Sequence, residues 1–131
     1  WKKETIMKTI IAGPHEIEAP LARILVMEAI ESCEWKDSIT EIVHGCAKGI
    51  DSAAADVCKD RWPVKGVEAN WAKYSRSAGP IRNSEMAKYA DALIAVSNGI
   101  SPGTSDMIKK AKKAGLKIHI LEIDPPKFKV T

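Results

Sequence analysis

Five short runs of apolar and β-branched residues punctuate the chain: KTIIAG (8–13), TEIVHG (40–45), VKGVEA (64–69), ALIAVS (92–97) and KIHILE (117–122). Their length and composition predict β-strands, and their nearly continuous apolar character suits central strands covered on both faces. Between the runs the apolar spacing lengthens. Ala22, Leu25, Val26, Ala29, Ile30 and Cys33 fall on one stripe of an α-helix, with Pro20 suited to its first turn. Ile50, Ala53, Ala54, Val57 and Cys58 repeat that stripe after the second run. A shorter third helix is expected from near Pro80 to about Ala90. Thr104, Met107, Ile108 and Ala111 define a fourth, which Gly115 closes as a C-cap. Five strands alternating with four helices predict an α/β fold: a Rossmann-like, doubly wound, parallel five-stranded sheet in a three-layer α/β/α arrangement.

A chain of 131 residues fits one domain with a real core, and its 45% hydrophobic and 28% charged residues are ordinary for a globular protein. The domain is expected over 7–124, with residues 1–6 belonging to sequence upstream of Met7 and residues 125–131 forming a tail. Pro125 and Pro126 cannot supply ladder donors, so that tail should leave the sheet. No apolar run is long enough to span a bilayer and no secretory leader pattern opens the chain; a cytoplasmic protein without a membrane partner is expected.

A net charge of +3 does not by itself announce a nucleic-acid binder. Lys109, Lys110, Lys112, Lys113 and Lys117 read as a solvated face of the last helix. Cys33, Cys46 and Cys58 are odd in number and lack metal-ligand spacing, so reduced thiols are expected. His44 and Cys46 are two ligands and do not make a metal site. No cofactor is called for, because the glycine spacing matches neither the P-loop nor the dinucleotide fingerprint.

Polar and glycine residues gather just after strand ends, where a doubly wound sheet places its ligand crevice. The clusters are AGPH (12–15), HGCAKGID (44–51), NWAKYSRSAGPIRN (70–83) and SNGISPGTSD (97–106). Candidate ligand-binding residues are Gly13 and His15 in the first cluster, and Gly45, Gly49 and Asp51 in the second. Arg76, Gly79, Arg82 and Asn83 follow in the third, and Ser97, Ser101, Gly103, Thr104 and Ser105 in the fourth. Gly103 at a helix mouth lets the backbone approach an anion, with free N–H groups and the Thr104 or Ser105 hydroxyl as donors. The alternative is that Ser101 or Thr104 only caps the helix. Asp51 complements a helix dipole, accepts from a ribose hydroxyl, or does both.

Arg82 is expected in the first turn of the third helix, with Met86 and Tyr89 on the same face. Its guanidinium can fork onto a phosphate or carboxylate; a surface ion pair with Glu85 is the other reading. Arg76 is the loop partner, with Ser75 or Ser77 as donors. Trp71 and Tyr74 offer flat surfaces for a base, although core or edge packing is the favoured expectation for Trp71.

Three pieces in order, VHGCAKGID, AGPIRNSEM and ADALIAVSNGISPGTSDMIKKAKKAG, resemble the SLOG superfamily, the Rossmann-like fold shared by LOG cytokinin-activating phosphoribohydrolases and the DNA-processing protein DprA. The likeness is to its small YspA-type branch of bacteria and phages, and covers about 8–121. It implies a pocket for a nucleotide or nucleotide-derived small molecule with Gly103 and Thr104 as phosphate loop. In LOG enzymes an arginine on the third helix and a glutamate after Gly-Thr carry glycosidic cleavage. Arg82 is similar to that arginine, whereas Ser105 and Asp106 follow Gly-Thr here, leaving Asp106 as the one candidate acid. The resemblance therefore implies a binding domain, a sensor or sequestering protein, before a nucleoside monophosphate phosphoribohydrolase with Arg82 and Asp106 as catalytic residues. Single-stranded DNA binding through the lysine-rich helix is a third reading. Related proteins pair, so a homodimer is expected, driven by an apolar helix face that the sheet does not use.

Overall fold

The computed structural model describes residues 5–124. The upstream assignment of residues 1–4 and the tail at 125–131 lie outside that range. Strands β1 (Lys8–Ala12), β2 (Glu41–His44), β3 (Val64–Gly66), β4 (Ala92–Ser97) and β5 (Lys117–Glu122) form one sheet in the order β3-β2-β1-β4-β5. Every neighbouring pair is parallel. Helices α1 (Leu21–Glu31), α2 (Ile50–Cys58), α4 (Ala78–Tyr89) and α5 (Pro102–Ala114) are the four expected from periodicity, and a one-turn helix α3 (Trp71–Tyr74) precedes α4.

Alternation along the strands sorts the core into two layers. Ile11, Ile42, Ile94 and Val96 pack with Leu25, Val26, Ile30, Ile50 and Ala54 of α1 and α2. Their neighbours Ile10, Val43, Leu93 and Ala95 pack on the opposite face with Met86 of α4 and Met107 and Ala111 of α5. Period-2 exposure of side chains therefore requires helices on both faces, which is the three-layer α/β/α arrangement. Strand order reverses at β1, whose neighbours are β2 and β4, and the crevice beyond the carboxyl ends of these strands is the expected place for a ligand.

Several local expectations change. β3 keeps three residues, although Val67 N–H still donates to His44 O at 2.8 Å, because an edge strand has one partner to hold it. Pro20 stands just before α1 rather than within its first turn. A 3-10 turn, Ser75–Ser77, feeds directly into α4, so the helix opens at Ala78 and Pro80 is its third residue. A proline is tolerated there because the first helical N–H groups have no intrahelical acceptor. The earlier start moves Arg82 out of the first turn and into the second.

Cys33, Cys46 and Cys58 are free thiols. Burial raises the Cys58 thiol to about 11, with Arg61 opposing weakly, which fits a packing role. Among the described residues, no helix is long and apolar enough to cross a membrane.

Candidate functional site

The loops after β1, β2 and β4 and the first two turns of α4 enclose a cavity of about 120 Å³ at the carboxyl end of the sheet. Asp51, Arg82, Asn83, Ser101 and Thr104 bring its polar groups, while Ala12, Met86 and Met107 form its apolar base. The cavity opens into a groove of about 640 Å³ flanked by Lys48, Trp71, Gly79, Pro80 and Asp106. His15, Ala47, Arg82, Asn83, Pro102 and Gly103 line both spaces, so they form one continuous crevice.

Arg82 is held by backbone and amide rather than by a carboxylate. Its Nη1 donates to Gly45 O and its Nε to Asn83 Oδ1 at 3.1 Å. Among the described residues it makes no ion pair, and the expected alternative with Glu85 is absent. Two of its five N–H donors are thus used, leaving three for a ligand in the crevice. Gly45 is the residue that makes this seat possible. A Cβ there would fall 2.6 Å from Arg82 Nη1 and 2.7 Å from Cζ, so the guanidinium lies where any side chain would be.

Asn83 carries the arrangement to α5. Its Nδ2 donates to Asp106 Oδ2 at 2.9 Å and to Gly103 O at 3.4 Å. Lys110 Nζ donates to the same Asp106 oxygen at 2.8 Å and to Pro80 O, also at 2.8 Å. The result is a strap between α4 and α5 that fixes the two walls of the crevice. Asp106 flanks the groove, and its charge is already met by Lys110.

The mouth of α5 is left open. Ser101 precedes the helix without a side-chain cap bond, since its Oγ accepts from Thr104 Oγ1 at 3.3 Å. Pro102 has no N–H, and Ser105 N–H begins the helical ladder on Ser101 O at 3.0 Å. Among the described residues, the Gly103 and Thr104 amides have no protein acceptor. Two uncapped amides at the positive end of a helix dipole form an anion-ready surface. Asn98, which the sequence reading did not single out, shapes this mouth: its buried Oδ1 accepts from both Ile100 N and Ser101 N at 3.0 Å. An asparagine directly before Gly99 is the turn signal that marks it.

At the entrance of α2 the first amide is met by the loop after β1, and the Asp51 carboxylate turns back to hold the loop after β2. Ile50 N–H reaches Pro14 O at 3.4 Å, and Asp51 Oδ2 accepts from Gly45 N at 2.9 Å and Ala47 N at 3.4 Å. Burial pushes the Asp51 carboxyl above its ordinary range, while those two amides and the nearby Arg82 and His44 pull it back. Burial lowers His44, opposed by Asp51, and its Nδ1 accepts from Cys46 N at 3.0 Å. That imidazole is engaged in its own turn.

Of the residues singled out from sequence, Gly13, His15, Asp51, Gly79, Arg82, Asn83, Ser101, Gly103 and Thr104 border the crevice, as does Asp106. Gly13 does so because it packs on α2: a Cβ there would meet Ile50 Cγ1 at 2.6 Å. Gly45 lies behind the Arg82 guanidinium, and Gly49 borders a different groove, between α1 and α2. Ser97 faces a third groove beside Glu122, where its Oγ accepts from Gly99 N at 3.2 Å. Exposed Arg76 and Ser105 border none of these spaces. Trp71, expected to pack, is 60% exposed at the groove's rim, because the one-turn α3 projects it away from the sheet. Ala47, Lys48, Pro102 and Met107 are bordering residues that the sequence reading did not pick out.

Fold and site together define a parallel α/β domain with an anion-ready crevice at its strand-order switch point. The "Gene 61 protein" of Mycobacterium phage D29 is 34% identical over an alignment of 89 residues that covers 59% of this chain and 67% of that protein. The chain belongs to the family of that phage protein, in agreement with the phage association expected from sequence. No family model and no solved structure matches it.

Proposed function

We propose that the protein binds a nucleotide or nucleotide-derived small molecule at the carboxyl edge of its sheet, as a sensor or sequestering domain. One observation carries this reading: the uncapped Gly103 and Thr104 amides and the spare donors of Arg82 border the same small cavity. That cavity suits a phosphate, and the adjoining groove has the size of a small-molecule site. The SLOG resemblance and the family's phage membership are compatible with it. Reduced thiols and an intracellular ligand of this kind fit a cytoplasmic protein. The test is native mass spectrometry of protein taken from cells, with identification of the molecule released on denaturation. A bound nucleotide supports the reading, whereas an empty protein that shifts oligonucleotides favours DNA binding.

Hydrolysis is the lesser reading, because Asp106 is engaged by both Asn83 and Lys110. A carboxylate already compensated by a neighbouring ammonium is poorly placed to meet charge developing on a ribose. Incubation with nucleoside monophosphates is expected to release no free base on chromatography. Multiple turnovers, abolished by Asp106→Asn while binding persists, would establish the phosphoribohydrolase instead.

The homodimer is proposed to use α1. Leu21, Ile24 and Met27 are each more than half exposed and form an apolar stripe on the helix face turned from the sheet. Light scattering is expected to give about twice the 14.3 kDa chain mass. Ile24→Glu should return the monomer, and a wild-type monomer over a broad concentration range would rule the dimer out.

A further inference from the structure

Building on the nucleotide-binding reading, we infer that Trp71 is the stacking platform for the ligand's base, so that the crevice selects a nucleotide over a bare sugar phosphate. Trp35 is 8% exposed and donates its indole N–H to Thr9 Oγ1 at 3.2 Å. Trp62 is partly buried against the core on the α1/α2 side, with Arg61 over its ring at 4.2 Å. Trp71 alone among the described tryptophans stands largely in solvent, and it does so at the rim of the groove.

Its position is fixed by local structure. Asn70 Oδ1 accepts from Lys73 N at 3.1 Å, and Asn70 O accepts from Tyr74 N at 3.0 Å, which closes the single turn of α3. Ser75 then takes a left-handed φ of 49° and returns its N–H to Trp71 O, reversing the chain so that α3 lies against α4. A non-glycine residue held at positive φ is a cost that the surrounding turn must offset.

The ring is aligned with the anion-binding residues. A Cβ placed at Gly79 would lie 3.5 Å from Trp71 Cη2 and 3.9 Å from Arg82 Nη2, so the indole and the guanidinium flank the same glycine. Gly79, Pro80 and Pro102 bring uncharged surface to the groove that Trp71 borders, which Lys48 and Asp106 also line. A phosphate seated at Arg82 and the α5 mouth would use the polar end of the crevice and leave the indole uncovered. A planar base attached through a ribose would cover it, burying apolar surface and gaining ring stacking.

The experiment compares the four ribonucleoside 5′-monophosphates with ribose 5-phosphate by calorimetry on wild type, Trp71→Ala and Trp71→Phe. Trp71→Ala is expected to weaken the tightest nucleotide by about 5- to 150-fold, the usual range for one base stacked on an aromatic ring. Ribose 5-phosphate affinity should not change, and Trp71→Phe should recover most of the nucleotide affinity. Nucleotide binding to wild type should also quench tryptophan fluorescence, and the quench should vanish in Trp71→Phe. Nucleotide binding with an unchanged preference over ribose 5-phosphate in Trp71→Ala would overturn the Trp71 assignment alone. Failure of wild type to bind any of the five compounds would overturn the nucleotide reading and this inference with it.

Discussion

Replacing Arg82 with alanine is expected to weaken binding of a nucleoside monophosphate by about 1.5–3 kcal/mol, roughly 10- to 150-fold, the scale of a hydrogen bond to a charged group. The guanidinium enters the crevice already oriented, with Nη1 on Gly45 O and Nε on Asn83 Oδ1. Little side-chain freedom remains to be lost when a phosphate arrives, so its spare donors contribute nearly their full strength. Lysine in its place would keep the charge but not the fork, and Arg82→Lys should fall between wild type and Arg82→Ala. That ordering separates a geometric role from a merely positive potential. Calorimetry at fixed ionic strength, with circular dichroism confirming the fold, makes the comparison. Equal affinity for wild type and Arg82→Ala would remove Arg82 from the site.

The sheet was legible because its signal is redundant. Each central strand must be apolar on both faces, and the helix stripe at Ala22, Leu25, Val26, Ala29 and Ile30 is wholly buried where periodicity placed it. The start of α4 was less legible. Ala78 and Gly79 are buried at its beginning but carry no amphipathic contrast, and the 3-10 turn that feeds the helix has no sequence period of its own. Trp71 was misplaced for a related reason. Apolar mass argues for the core, and nothing in four residues of helix reveals that the element projects from the sheet.

The site was legible in its location more than in its wiring. Glycines after strand ends announce that something approaches the backbone, but not what does so. At Gly13 it is Ile50, and at Gly45 it is the Arg82 guanidinium. Arg82's main anchor is a backbone carbonyl 37 positions away, and carbonyls leave no mark in a sequence. Asp51 shows the same limit. An acidic residue at a helix start has several uses, and only the fold shows its Oδ2 taken by the Gly45 and Ala47 amides. Lys110 lay within a lysine run read as a solvated face, yet it pairs with Asp106 one turn back on α5 and reaches across to Pro80 O of α4.

Two glycines at helix entrances should respond oppositely to one added methyl group. Gly49 enters α2 at φ 71° and ψ −122°, a conformation that an L side chain rarely adopts. A Cβ there would also lie 2.6 Å from Pro14 O and 2.7 Å from His15 O, which are backbone atoms of the loop after β1. Neither contact is relieved by turning a rotamer, so the loop itself must move. Strain at positive φ and overpacking each cost about 1–3 kcal/mol, so Gly49→Ala is expected to lower Tm by roughly 10–20 °C in a domain of this size. Gly103 sits inside the first turn of α5, where a Cβ would meet nothing within 4 Å. Alanine is the better helix former there, and Gly103→Ala should hold or slightly raise Tm. Its methyl group would nevertheless stand beside the amides that await an anion, so nucleotide affinity should fall while stability does not. Thermal unfolding without ligand, followed by calorimetry, measures both quantities. A Tm for Gly49→Ala equal to wild type would show that the loop after β1 yields freely to the α2 entrance. Unchanged affinity in Gly103→Ala would place the phosphate elsewhere than at the mouth of α5.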